Sequence, residues 1–113
     1  MDCIFCKIIK GDIPSYTIYE NEYVKCFLDV NPNSMGHTLI IPKKHFKDIY
    51  DIDTLYLSEI NKASKEVIKI LDEKLKPNGY KLVQNNGILQ EVKHYHLHII
   101  PSYNKKNNMD VSD

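Results

Sequence analysis

The sequence predicts an α+β domain built on a five-stranded, mainly antiparallel sheet with one short N-terminal helix and one long helix. Two observations carry this. Runs rich in β-branched and aromatic residues come as a set of three and then a set of two, on either side of a long stretch with apolar residues every three or four positions. The length, 113 residues, is enough for one core and too little for two.

The elements follow in order. Residues 3–10 carry Ile4, Phe5, Ile8 and Ile9 at near-helical spacing and stop at Gly11, a glycine C-cap. Residues 16–20 and 23–29 are strand-formers separated by Asn21-Glu22, which predicts a hairpin. Asn31-Pro32-Asn33-Ser34-Met35-Gly36 is a loop by composition, and residues 37–41 are a third strand stopped by Pro42. Asp53 caps a long helix in which Leu57, Ile60, Ala63 or Ser64, Val67, Leu71 and Leu75 form the buried stripe, ending before Pro77-Asn78-Gly79. Its Lys and Glu residues read as an ordinary solvated face. Residues 80–85 and 94–100 supply the last two strands, with a loop at 86–93. The domain is expected to span 1–103 and a polar tail 104–113. An open sheet edge invites pairing with a second copy, so a homodimer with sheets joined across it is expected.

Charge narrows the partners. Fifteen basic and fifteen acidic residues cancel, which argues against a nucleic-acid surface or an anionic-membrane surface. Every basic residue is Lys, so phosphate recognition cannot use the guanidinium fork and falls to His, Lys, amides and backbone N–H groups. The N-terminus has no signal-peptide pattern and no apolar run reaches membrane-spanning length, so a cytoplasmic protein is expected. Cys3-x-x-Cys6 in a reducing compartment reads as a metal or redox site, and Cys26, in an apolar run, as a buried structural thiol.

The most informative run is His94-Tyr95-His96-Leu97-His98. On a strand, alternate side chains share a face, so the three imidazoles lie together and Tyr95, Leu97 and Ile99 lie opposite. Imidazole can attack phosphorus, carry a proton near neutral pH or ligate a metal. Neighbouring imidazoles in such a row are about 6.5 Å apart at the backbone and the outer two about twice that, so a straight strand cannot easily put all three on one metal. A division of labour follows, with the middle residue, His96, the natural nucleophile.

The pattern of His and apolar residues at 94–100 resembles the signature of the histidine-triad (HIT) nucleotide hydrolases and transferases. Ile4-Phe5-Cys6-Lys7-Ile8-Ile9 with Ile13-Pro14, Phe27-Leu28-Asp29-Val30-Asn31-Pro32, and Gly36-His37-Thr38-Leu39-Ile40-Ile41-Pro42-Lys43-Lys44-His45 are similar to that family in order and spacing. The likeness runs from about residue 3 to 101. It implies a hydrolase that binds an AMP-like purine nucleotide and cleaves nucleoside phosphoramidates or related nucleotides at the α-phosphate. His96 would form a nucleotidyl-histidine that water then hydrolyses. The resemblance assigns His98 to the transferring phosphate, with Asn85 and Gln90 as neutral donors, Asp29 to the ribose hydroxyls, and His37 to the support of His96. Phe5, Ile8, Phe27, Val30 and Leu39 would wall the base. It also implies a structural zinc held by Cys3, Cys6, His45 and His94.

Other readings stand beside these. Asp29 could cap the turn before Asn31-Pro32, Asn85 could serve only the Asn85-Asn86-Gly87 turn, and Phe27 and Leu39 would be core in almost any fold. The chain also departs from the family's usual Gly-Gln-Ser or Gly-Gln-Thr with Leu89-Gln90-Glu91, which bears on the leaving group. Two other function classes are a non-catalytic nucleotide-binding or scaffold protein, and a metal-dependent hydrolase using His94 and His96 as a ligand pair.

Overall fold

A computed structural model of the chain describes residues 3–103; the expected polar tail at 104–113 lies outside the described residues. The elements run α1 (Ile4–Lys10), β1 (Thr17–Glu20), β2 (Val24–Leu28), β3 (Thr38–Pro42), α2 (Thr54–Leu75), β4 (Gly79–Val83) and β5 (Leu97–Ser102), with a single 3-10 turn at Gly87–Leu89. The strands form one five-stranded sheet in the order β1-β2-β3-β5-β4, and each neighbouring pair is antiparallel. This is the α+β architecture read from the sequence.

Each helix covers one face of the sheet, which explains the apolar run of β3. Ile40 meets Ile60, Ala63, Val67 and Leu71 of α2 in one cluster with Val24, Cys26, Leu97 and Ile99. Its neighbours Leu39 and Ile41 point the other way, to Cys3, Phe5, Ile8 and Phe27 around α1. A strand covered on both faces needs apolar residues at consecutive positions, not alternate ones, and every residue of β3 is buried. Cys26 is fully buried and unbridged, as its apolar setting implies.

The caps form as the sequence indicates. Gly11 closes α1 in the left-handed region at φ +88°, and the Asp53 carboxylate accepts from the Leu55 N–H at 2.8 Å to start α2. Gly36 also has φ +88°, and a Cβ there would stand 2.7 Å from a methyl of Leu75 and 3.3 Å from one of Leu71. The loop before β3 therefore presses on the end of α2 at a point where only a hydrogen fits.

Three boundaries differ from expectation. Pro42 does not stop β3 from outside; it is the last residue of the strand, opposite Val24, a terminal place where its missing N–H costs least. β4 ends at Val83 and leaves Asn85 in the following loop. β5 starts at Leu97, not at residue 94, because its pairing with β3 begins at Leu97, opposite Ile40. Before that point the backbone bonds elsewhere: the Tyr95 N–H donates to the Phe46 carbonyl at 2.7 Å, and the His94 carbonyl accepts from the His96 ring. No described helix is long and apolar enough to cross a membrane.

Candidate active site and metal centre

The three triad imidazoles keep the alternation expected of extended chain, although only His98 lies within β5. Tyr95, Leu97 and Ile99 point into the α2 core. On the opposite side the ring of Phe5 meets His94 and His96 edge-on, with centroids 5.8 and 5.1 Å away. Close alternation does not give one common task, because the partners of each ring differ.

His94 belongs to a cluster with Cys3, Cys6 and His45, whose four ligand atoms all lie within 4.8 Å of one another. Its Nδ1 is 3.4 Å from the Cys3 Sγ, 3.6 Å from the Cys6 Sγ and 3.0 Å from Nδ1 of His45, which is itself 3.3 Å from the Cys6 Sγ. A tetrahedral ion with metal–sulfur and metal–nitrogen bonds of about 2.3 and 2.0 Å would set its ligand atoms roughly 3.3 to 3.8 Å apart. The cluster has close to that spacing. The tautomer fits too: Nε2 of His94 is 3.0 Å from the Pro42 carbonyl, which can only accept, so Nε2 carries the proton and Nδ1 turns a lone pair to the thiols. Burial pushes the His94 imidazole down to about 4, keeping it neutral as a ligand must be. The Cys6 N–H donates to Cys3 Sγ at 3.3 Å, so the turn that begins α1 also aims the thiols. These residues could hold a metal ion. With both nitrogens so committed, His94 has none left to pair with His96 on a second metal.

Beside this centre lies a cleft of about 480 Å³, between α1, the end of β2, the loop before β3 and the 85–92 segment. His37, His96, His98, Asp29, Asn85, Phe5, Ile8, Phe27, Val30 and Leu39 all line it. Val30 is 87% exposed, so it edges the mouth and does not close a wall. Asp29 does two things. Its Oδ1 accepts from the Asn31 N–H at 2.9 Å, the turn-capping role, while Oδ2 stands 3.5 Å from Nε2 of His37.

Hydrogen-bond partners assign the protons. The His96 Nδ1 is 2.7 Å from the His94 carbonyl, so Nδ1 carries the hydrogen and Nε2 of the neutral ring keeps its lone pair. The Asn33 N–H donates to Nδ1 of His37 at 3.0 Å, so the His37 proton sits on Nε2, 2.9 Å from Nδ1 of His98. His98 accepts there and is left with an N–H at Nε2. Burial holds His37 and His96 below the ordinary histidine value, partly offset at His37 by Asp29 and at His96 by the His94 carbonyl. Burial and then the neighbouring imidazoles push His98 down to about 4. The cleft thus holds one neutral ring with a lone pair on Nε2 beside another with an N–H on Nε2, the two 5.0 Å apart. Asp29, His37 and His98 also place three ligand atoms together, but the Asn33 N–H keeps the His37 proton on the nitrogen a metal would need.

Two expected placements change. His37 bonds to His98 rather than to His96, because β3 and β5 set Leu39 opposite His98 and so bring His37 to that end of the row. Gln90 is absent from the cleft: it is 4% exposed, and its Nε2 donates to the Lys47 carbonyl, tying the 85–92 segment to the turn after β3. Leu89, Glu91 and Val92 face the cleft in its place. The Asn33 N–H, which sets the His37 tautomer, is a backbone group that no side-chain reading could find.

Residues 10–105 match the family model described as the HIT domain. The chain belongs to the HIT family. A relative named adenosine 5'-monophosphoramidase HNT1, from Saccharomyces cerevisiae, is 41% identical over 111 residues, covering 96% of this chain and 68% of that protein. Among solved structures, a HIT family protein from Bacillus anthracis superposes with a TM-score of 0.88 at 40% identity, covering 92% of this chain and 75% of that one. A zinc-bound histidine-triad protein from Mycobacterium smegmatis superposes at 0.86 and 34% identity, covering 99% and 81%. This HIT protein thus shares its fold with a relative in which zinc is present.

Proposed function

We propose that this chain is a nucleotide hydrolase that cleaves purine nucleoside phosphoramidates at the α-phosphate through a covalent nucleotidyl-histidine on His96. The observation that carries this reading is the proton assignment: the His94 carbonyl holds the His96 Nδ1–H and leaves Nε2 as a lone pair at the cleft. Attack by Nε2 forms the nitrogen–phosphorus bond as the leaving-group bond breaks, and water then releases the nucleotide. The Nε2–H of His98 donates to the phosphoryl oxygens as their charge grows, and Asn85 stands in the same lining as a neutral donor. Asp29 lines the cleft, and its Oδ2, 3.5 Å from Nε2 of His37, suits ribose hydroxyls, while Phe5, Ile8, Phe27 and Leu39 offer an apolar wall to the base. The relatives named monophosphoramidase support the same chemistry.

Cys3, Cys6, His45 and His94 would hold a structural zinc, which would pin α1 to the chain just before the nucleophile. Thiolate ligands suit a reducing, cytoplasmic setting. β4 is an outer strand with an open edge, and a homodimer joined there is part of this reading.

The test is incubation with adenosine 5'-phosphoramidate, with mass spectrometry of the peptide containing His96. An adenylyl adduct on that peptide and AMP release are expected. His96→Asn should abolish both, and undiminished turnover in that variant sinks the mechanism.

A further inference from the structure

The cleft has an unusual charge for a phosphate site. Among the described residues lining it there is no Lys, although the chain has fifteen; its formal charges are the carboxylates of Asp29 and Glu91. Asp29 is committed to the turn and to His37. Glu91 is exposed, and its carboxylate makes no hydrogen bond or ion pair among the described residues.

Glu91 also occupies a particular place. Together with Ile4 and Val92 it lines both the cleft and an adjoining depression, whose other walls are Cys3, His45, Lys47 and Lys93. Of these three shared residues only Glu91 carries a charge. The two lysines belong only to the far side, and the Lys93 ammonium is held by the carbonyls of Gly87 and Gln90 at 3.1 and 3.0 Å.

Resting on the reaction proposed above, we infer that Glu91 selects the leaving group, favouring an amine that departs from a protonated nitrogen over any group that departs as an anion. The substrate nitrogen takes a proton from solvent, giving a cationic nitrogen on phosphorus. The His96 Nε2 lone pair then forms the new bond to phosphorus. The phosphorus–nitrogen pair returns to nitrogen, and a neutral amine leaves. The Glu91 carboxylate, a hydrogen-bond acceptor beside that cation, stabilises the protonated form before the bond breaks. An anionic leaving group gains charge against the same carboxylate and meets repulsion instead.

The experiment compares kcat/KM for an adenosine phosphoramidate of a simple alkylamine with that for adenosine 5'-(p-nitrophenyl phosphate), in wild type, Glu91→Gln and Glu91→Lys. The preference for the amine substrate should fall about tenfold in Glu91→Gln and further in Glu91→Lys, with nitrophenyl turnover rising as the charge is reversed. A ratio unchanged within about twofold across the series overturns the role of Glu91. The nitrophenol burst in wild type separates this from the underlying reaction. Absence of a burst and of an adduct on His96 removes both; a normal burst with an unchanged ratio removes only the selection by Glu91.

Discussion

Nε2 of His37 lies 2.9 Å from Nδ1 of His98, joining the residue just before β3 to β5 where both line the cleft. With the Asn33 N–H on the other side of His37, this contact decides which nitrogen of His98 carries a proton towards the cleft. His37→Ala should lower kcat more than it raises KM, by about 10- to 100-fold, because the donor is no longer held in the right tautomer. The double variant with His98→Ala should be little worse than His98→Ala alone. Steady-state kinetics on the four proteins checks this, and fully additive losses would show that the two rings act separately.

The same pair gives a pH dependence with a defined sign. Unfolded histidines titrate near about 6.5, whereas burial and the adjoining imidazoles hold His98 down to about 4 and burial keeps His37 depressed. Between those values the unfolded chain binds protons that the folded chain refuses, so stability should be greatest above about pH 6.5 and decline as pH falls toward 4. Thermal melts between pH 7 and 5 should show a smaller drop in His98→Gln than in wild type. An equal slope in both proteins would assign the acid sensitivity to other groups.

Loss of the metal centre should be felt as loss of stability. Cys6→Ser removes a thiolate that stands 3.3 Å from the His45 Nδ1 and 3.6 Å from that of His94. Bound zinc, measured by elemental analysis, should fall from about one per chain to well below that, and the melting temperature should drop by at least about 5 °C. Prolonged chelation should act in the same direction on wild type. Unchanged zinc content and melting temperature would show that these four side chains do not hold the ion.

Gly36→Ala should be costly although the residue lies in a loop. At φ +88° an added Cβ is strained, and it would come within 2.7 Å of the Leu75 side chain. A loss of about 2 kcal/mol is expected, a fall of roughly 8 °C in melting temperature. Gly11→Ala shares the positive φ but meets nothing within 4 Å, so it should cost less. Equal losses would mean that the contact with Leu75 contributes nothing.

The order of elements was legible in the sequence because it rests on local physics. Gly11 and Asp53 cap helices by their own chemistry, and the spacing from Ile60 to Leu71 marks the buried face of α2 before any partner is known. The triad run likewise announced imidazoles sharing one side of an extended chain. The division of labour among them was beyond local pattern. His94 turns to thiols some ninety residues away in sequence, His96 to the backbone carbonyl of His94, and His98 to His37 just before β3. Gln90 carried the right chemistry for the cleft and was drawn away by the Lys47 carbonyl, while Glu91 beside it faces inward. Amino-acid sequence alone determined which groups were available. Only tertiary structure decided which lone pair or proton each one presents, because a ring nitrogen's role is set by the atom it bonds to, and that atom lies on another element or on the backbone.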